Sequence, residues 1–195
     1  MDDNITTTII ALKAELSQRL AGLSLQQAIF PEPEPTIDGI VFSLEEMNPT
    51  PEPLSSDSLT GEWQLIYASR GTVVTRKLAT TPDWMSVKIN QVWQNLTVDE
   101  AGKIATSNCA LMELPVLGEW QVQAEGVWQR EDEKTALVSF CAFSLQATKP
   151  LTLPRLKIPV LEFLRNQAVW ITSYLDGEMR IGRGKTGNLF VFRRR

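Results

Sequence analysis

The stretch Gly61-Glu62-Trp63-Gln64-Leu65-Ile66-Tyr67 decides the fold, because Trp63, Leu65 and Tyr67 alternate along it with Glu62 and Gln64. A period of two places the three large side chains on one face of a β-strand. The period returns at 87–94, where Val87, Ile89, Gln91 and Trp93 alternate with Lys88, Asn90 and Gln94. Further strand-like runs occupy 103–113, 119–130, 135–147, 168–175, 178–183 and 188–193, many of them bounded by Gly, Pro, Asp or Asn. Eight such strands joined by short turns close into an up-and-down antiparallel barrel, whose interior holds side chains or one small ligand.

Upstream of the barrel the period changes. Ile5, Ile9, Leu12, Leu16 and Leu20 share one face of a helix, and Gly22 separates it from a second short amphipathic piece at 23–29. Between Phe30 and Ser58 six prolines are interleaved with glutamates, a composition that predicts an extended linker. The reading therefore divides the chain into an N-terminal amphipathic helical segment (1–29), a Pro-rich acidic linker (30–60) and a barrel (61–195). A length of 195 residues suits a single domain.

Composition narrows the function. With 43% hydrophobic and 22% charged residues the chain can bury a core. No apolar run exceeds four residues, so no transmembrane helix is expected. There is no histidine, which removes the commonest general base and metal ligand. Cys109 and Cys141 form no CxxC pair, which argues against a zinc site or a disulfide scaffold and for a reducing compartment. Met1-Asp2-Asp3-Asn4 is acidic and the first basic residue is Lys13, so no signal or transit peptide is expected. The net charge of −4 splits into −8 over residues 1–60 and +4 over the remainder, and residues 149–195 alone carry +7. Such a basic region attracts anionic surfaces.

Several motif matches fail on context. Gly182-Arg183-Gly184-Lys185-Thr186-Gly187 spells GxGxxG, but the residues after it read as a strand where a dinucleotide site needs a helix. A Walker A loop would need Gly where Met179 stands. Asn95-Leu96-Thr97 matches a glycosylation sequon, without a secretory signal to give it meaning. Of the six tryptophans, Trp93, Trp120 and Trp128 neighbour Gln, Asn and Glu where a nucleic-acid groove would supply basic residues, so no nucleic-acid partner is expected. A core or an apolar pocket is the better use of these rings.

The candidate ligand-binding residues are Trp63, Tyr67, Asp176, Arg180 and Arg183. Trp63 and Tyr67 either floor a ligand cavity or fill the barrel. Asp176 either caps the Asp176-Gly177 turn while the two arginines pair across the rim, or joins them at the barrel mouth to orient the polar end of an amphiphile. Residues 151–165 are apolar, basic and interrupted by Pro154 and Pro159. Leu153, Arg155, Lys157, Leu161 and Phe163 are the candidates there for membrane or lid contact, with plain core packing as the alternative. No base, nucleophile or metal-ligand spacing is singled out, so the expectation is a non-enzyme without a cofactor.

Two stretches resemble a known family. GEWQLIYASRG (61–71) resembles the G-x-W start of lipocalin-type barrels, and YLDGEMRIGRGKTGNLFVF (174–192) is the more specific. In this order, about 110 residues apart, they resemble the plastid lipid-associated proteins, also called plastid fibrillins or plastoglobulins. The resemblance implies a lipocalin-like barrel with an N-terminal helical part, peripheral to thylakoid membranes or lipid droplets. It also implies binding or carriage of a small hydrophobic molecule (a lipid, quinone or carotenoid), with a role in photoprotection. Asp176 matches the family's C-terminal acidic residue, discussed as a ligand contact, and Arg180 and Arg183 match its basic positions. Without a transit peptide the chain looks like a cyanobacterial member, cytoplasmic or at the thylakoid surface. Two alternatives stay open: a structural or adaptor protein with a side-chain-filled barrel that docks on membranes or protein partners, and a bilin-handling protein, since some phycobilin lyases share such barrels.

Overall fold

The computed structural model describes residues 3–29, 35–69, 87–160 and 167–195. Three helices come first: α1 (Asp3–Ala21), α2 (Leu25–Ile29) and α3 (Pro35–Glu46), followed by 3-10 turns at Pro53–Ser55 and Asp57–Leu59. The strands are β1 (Gly61–Ala68), β2 (Lys88–Val98), β3 (Ile104–Leu114), β4 (Gly118–Arg130), β5 (Thr135–Lys149), β6 (Leu156–Pro159), β7 (Gln167–Leu175), β8 (Met179–Gly184) and β9 (Leu189–Arg194). All their pairings are antiparallel: β1 to β5 pair in sequence, β5 pairs with β7, β7 with β8, β8 with β9, and β9 returns to β1. The eight expected strands therefore form a ring of the lipocalin-like, up-and-down kind.

β6 is a ninth strand where the sequence suggested an irregular segment. It has only four residues and ends at Pro159, too short for a period of two to register. β5 divides its edge: 135–139 pair with β7, and 142–145 pair with β6.

The barrel wall has an apolar layer on each side. Trp63, Leu65, Leu96, Ile104, Trp128, Val138, Leu175 and Phe192 pack inside it. Tyr67, Tyr174, Ile181, Leu189 and Val191 face outward and are covered by Ile9, Leu16 and Leu20 of α1 and by Ile37, Ile40, Val41 and Leu44 of α3. Each fully buried aliphatic side chain contributes about 1.5–3 kcal/mol, which holds the helices to the wall. At Gly182, Trp170 lies so close that a Cβ would fall 2.0 Å from its Cζ2 atom, so glycine is required there.

The linker expected over 30–60 contains α3, whose Ile37, Ile40, Val41 and Leu44 repeat at helical spacing and are all buried. Pro35 stands at the helix start, where its missing N–H costs nothing, and so did not break it. Nor do Trp63, Leu65 and Tyr67 share a face: the β1–β9 register slips between Leu65 and Tyr67, and the bulge at Ile66 turns Tyr67 outward beneath the helices. A second slip, between Ile89 and Gln91, brings Val92 and Gln94 to the inside of β2, not Gln91 and Trp93.

Candidate functional site

One end of the barrel is sealed. Ile29, Leu54 and Leu59 pack against its inner residues, and the Trp63 Nε1–H donates to the Leu59 carbonyl at 2.9 Å. The Arg194 guanidinium lies over the Trp63 ring at 4.3 Å and donates to the carbonyls of Gly177 (2.6 Å), Thr60 (2.8 Å) and Ser58. The cation–π contact and the three carbonyls give each of its nitrogens a partner and its charge an aromatic face.

Above this base, Arg180 points inward from β8. It is wholly buried, with Phe192, Trp63 and Trp128 around it at 4.5, 5.2 and 5.8 Å from the guanidinium carbon to the ring centres. Its Nη2 donates to Gln94 Oε1, while Nε and Nη1 have no hydrogen-bond partner among the described residues. Burial, and secondarily the like charge of Arg194, push its pKa down to about 9. Among the described residues the same inner wall also leaves Trp128 Nε1, Trp170 Nε1 and Thr172 Oγ1 unpartnered. Each such buried group costs roughly 1–3 kcal/mol. The Trp128 and Trp170 rings stand 5.8 Å apart, and Trp170 also touches Phe190 and Phe192.

Toward the opposite end, burial falls away. Met112, Val92 and Phe140 are partly buried, and Phe143, Leu145, Leu156 and Ile158 are exposed. By register, Phe143 and Leu145 of β5 continue the face of β4 that carries Ala124 and Val122, while Ile158 and Leu156 of β6 extend it. Beyond them Val116, Leu117, Leu151 and Leu153 project from the β3–β4 turn and from the β5–β6 connection. Eight of the twelve large apolar side chains exposed among the described residues thus gather at this one end. An apolar patch of that kind marks a contact surface.

The residues picked out from sequence are dispersed by the fold. Trp63 and Arg180 meet inside the barrel. Tyr67 lies under the helices, outside it. Asp176 takes up a turn: it accepts from the Glu178 and Met179 amides and the Tyr174 hydroxyl at 2.7 Å each, and from Lys13 of α1 at 2.8 Å. Burial alone would raise the Asp176 carboxyl, but these hydrogen bonds outweigh it and hold the carboxyl below its ordinary value. Arg183 donates to both carboxylate oxygens of Glu45 on α3, at 2.7 and 2.6 Å. Asp176 and Arg183 therefore fasten helices to the wall, and only Arg180 of the three reaches the interior.

In the 151–165 stretch, Leu153 is at the exposed rim. Arg155 donates to Gln123 (2.8 Å) and Lys157 to Glu125 (2.5 Å), binding β6 across β5 to β4 on the outer face. Leu161 and Phe163 lie outside the described residues. No helix among the described residues is long and apolar enough to cross a membrane. The sequence did not single out Gln94, Thr172 or Phe192. Trp128 and Trp170 carried the signal of an apolar pocket, but nothing local showed that they meet.

Residues 10–193 match the profile of the family described as PAP_fibrillin. The chain is 26% identical over 185 residues to the probable plastid-lipid-associated protein 5, chloroplastic, of Arabidopsis thaliana. That alignment covers 93% of this chain and 68% of the relative.

Proposed function

The chain belongs to the PAP_fibrillin family, and from that premise we propose that it binds a small hydrophobic molecule (a lipid, quinone or carotenoid) while resting peripherally on a lipid surface, a thylakoid membrane or lipid droplet. The reading is non-catalytic, and photoprotection is the role it would serve. The observation that supports it best is the gathering of Val116, Leu117, Leu151, Leu153, Leu156 and Ile158 at the end of the barrel opposite the sealed base. Phe143 and Leu145 carry the same apolar face from that rim toward the interior. A rim of this kind can enter an interfacial layer and pass an apolar molecule inward without exposing it to water.

The test pairs flotation on liposomes with organic extraction and mass spectrometry of the purified protein. The expected result is a stoichiometric apolar ligand, and flotation that the double variant Leu151→Asp/Leu153→Asp loses at unchanged Tm. The dense packing of Trp63, Leu96, Trp128 and Phe192 at the base favours a second reading, a filled barrel serving as a structural adaptor. An empty protein that still floats would favour that one.

A further inference from the structure

The inner wall around Arg180 has an imbalance of hydrogen-bonding character. Among the described residues, Arg180 Nε, Arg180 Nη1, Trp128 Nε1 and Trp170 Nε1 are donors without acceptors, and Thr172 adds one unpartnered hydroxyl. Indole and guanidinium nitrogens cannot accept, so the four nitrogens cannot satisfy one another, and the hydroxyl is the one group of the five that could accept. Charge is unbalanced in the same place. No carboxylate pairs with Arg180 among the described residues, and the charge that acts on it is the like charge of Arg194 on the other contact of Trp63. A buried cation is ordinarily paired.

We infer that the barrel takes an acid-headed, single-chain amphiphile, a long-chain carboxylate, with the carboxylate at Arg180 among Trp63, Trp128 and Phe192 and the chain directed past Trp170 and Phe140 toward the exposed apolar rim. The inference rests on the proposed binding of an apolar molecule and adds its chemical class. A carboxylate supplies acceptors to a wall of donors and one negative charge to one unpaired guanidinium. A neutral quinone or ester carbonyl would supply the acceptors and leave the charge. The burial gradient sets the direction, since the polar atoms sit near the sealed base and the apolar ones near the exposed rim.

The experiment measures binding of oleate and of methyl oleate to the full-length protein, by tryptophan fluorescence and calorimetry at neutral pH. Oleate is expected to bind at least tenfold more tightly than its ester. Arg180→Met is expected to bring that ratio to about one while methyl oleate binding persists. Because Arg180→Met removes a buried side chain and can disturb folding, oleate labelled with ¹³C at its carboxyl gives a second readout on the native chain. Its bound carboxyl should titrate below that of free oleate.

Equal affinity for acid and ester would overturn the inference and leave the apolar-ligand reading standing, whereas no binding of either probe would remove both. A preference abolished instead by Arg193→Ser/Arg195→Ser would place the carboxylate in the basic groove lined by Lys13, Met179 and Arg193, outside the barrel, and would equally overturn it.

Discussion

Replacing Asp176 by alanine separates two roles the sequence left open for this residue, a ligand contact and a fastening. The carboxylate accepts from the Glu178 and Met179 amides, from Tyr174 and from Lys13, and the side chains of Asp176 and Lys13 are each 18% exposed. Charge-assisted bonds contribute about 1.5–3 kcal/mol when dry, and solvent access places these at the lower end. With about 1 kcal/mol for the turn amides, the loss is roughly 3 kcal/mol. For a chain of this size that lowers Tm by about 6–12 °C.

Calorimetry of Asp176→Ala, Lys13→Met and the double variant isolates the ion pair, with an expected coupling of about 1 kcal/mol. The pH dependence has a fixed sign. The carboxyl is held below its ordinary value, so its contribution is present above about pH 4 and is lost as pH falls through the folded value. Burial lowers the Lys13 ammonium, but Asp176 and Glu178 outweigh burial and raise it, so its contribution is complete below about pH 10 and is lost as pH rises through the raised value. A Tm within 1 °C of wild type for Asp176→Ala, or zero coupling with Lys13, would refute the fastening and return Asp176 to the ligand.

Arg183→Met breaks the two-pronged contact with Glu45, and hydrogen exchange should show the α3 amides opening more readily by about 1–2 kcal/mol while β8 stays protected. Leu44→Ala deletes a fully buried side chain of α3 and should cost about 2–5 kcal/mol in urea unfolding, whereas a true linker would register almost nothing. Gly182→Ala drives a methyl into Trp170, and the forced shift should cost about 1–3 kcal/mol and alter the near-ultraviolet dichroism of the tryptophans; an unchanged spectrum would mean that the ring is not where the structure puts it.

Much of the barrel was legible because strands wetted on one side write their period into the sequence. What escaped did so for nameable reasons. The bulges at Ile66 and Asn90 shift the phase within β1 and β2, and a bulge has no side-chain signature. α3 was hidden by the run Pro31, Pro33 and Pro35, although Pro35 is itself the first residue of the helix. The partners of Asp176 and Arg183, namely Lys13 and Glu45, are 163 and 138 residues away along the chain, beyond any local pattern. β8 is buried on both faces through residues 179–182, so nothing in its alternation distinguished Arg180, which faces the rings, from Arg183, which faces α3.

The closure of β9 onto β1 bears on how the molecule comes into being. Trp63 and Arg194 lie about 130 residues apart in the chain yet pair directly, and β9 also delivers Phe190 and Phe192 to the interior. A growing polypeptide can pair β1 through β8 strand by strand, but both flanks of the sheet stay unpaired and the ring of aromatic residues stays wet until β9 has left the ribosome. Such late, non-local closure makes for slow folding and a window for edge-to-edge association. A chain interrupted before β9 would be trapped in that window, a sheet with two sticky edges for the chaperones to hold.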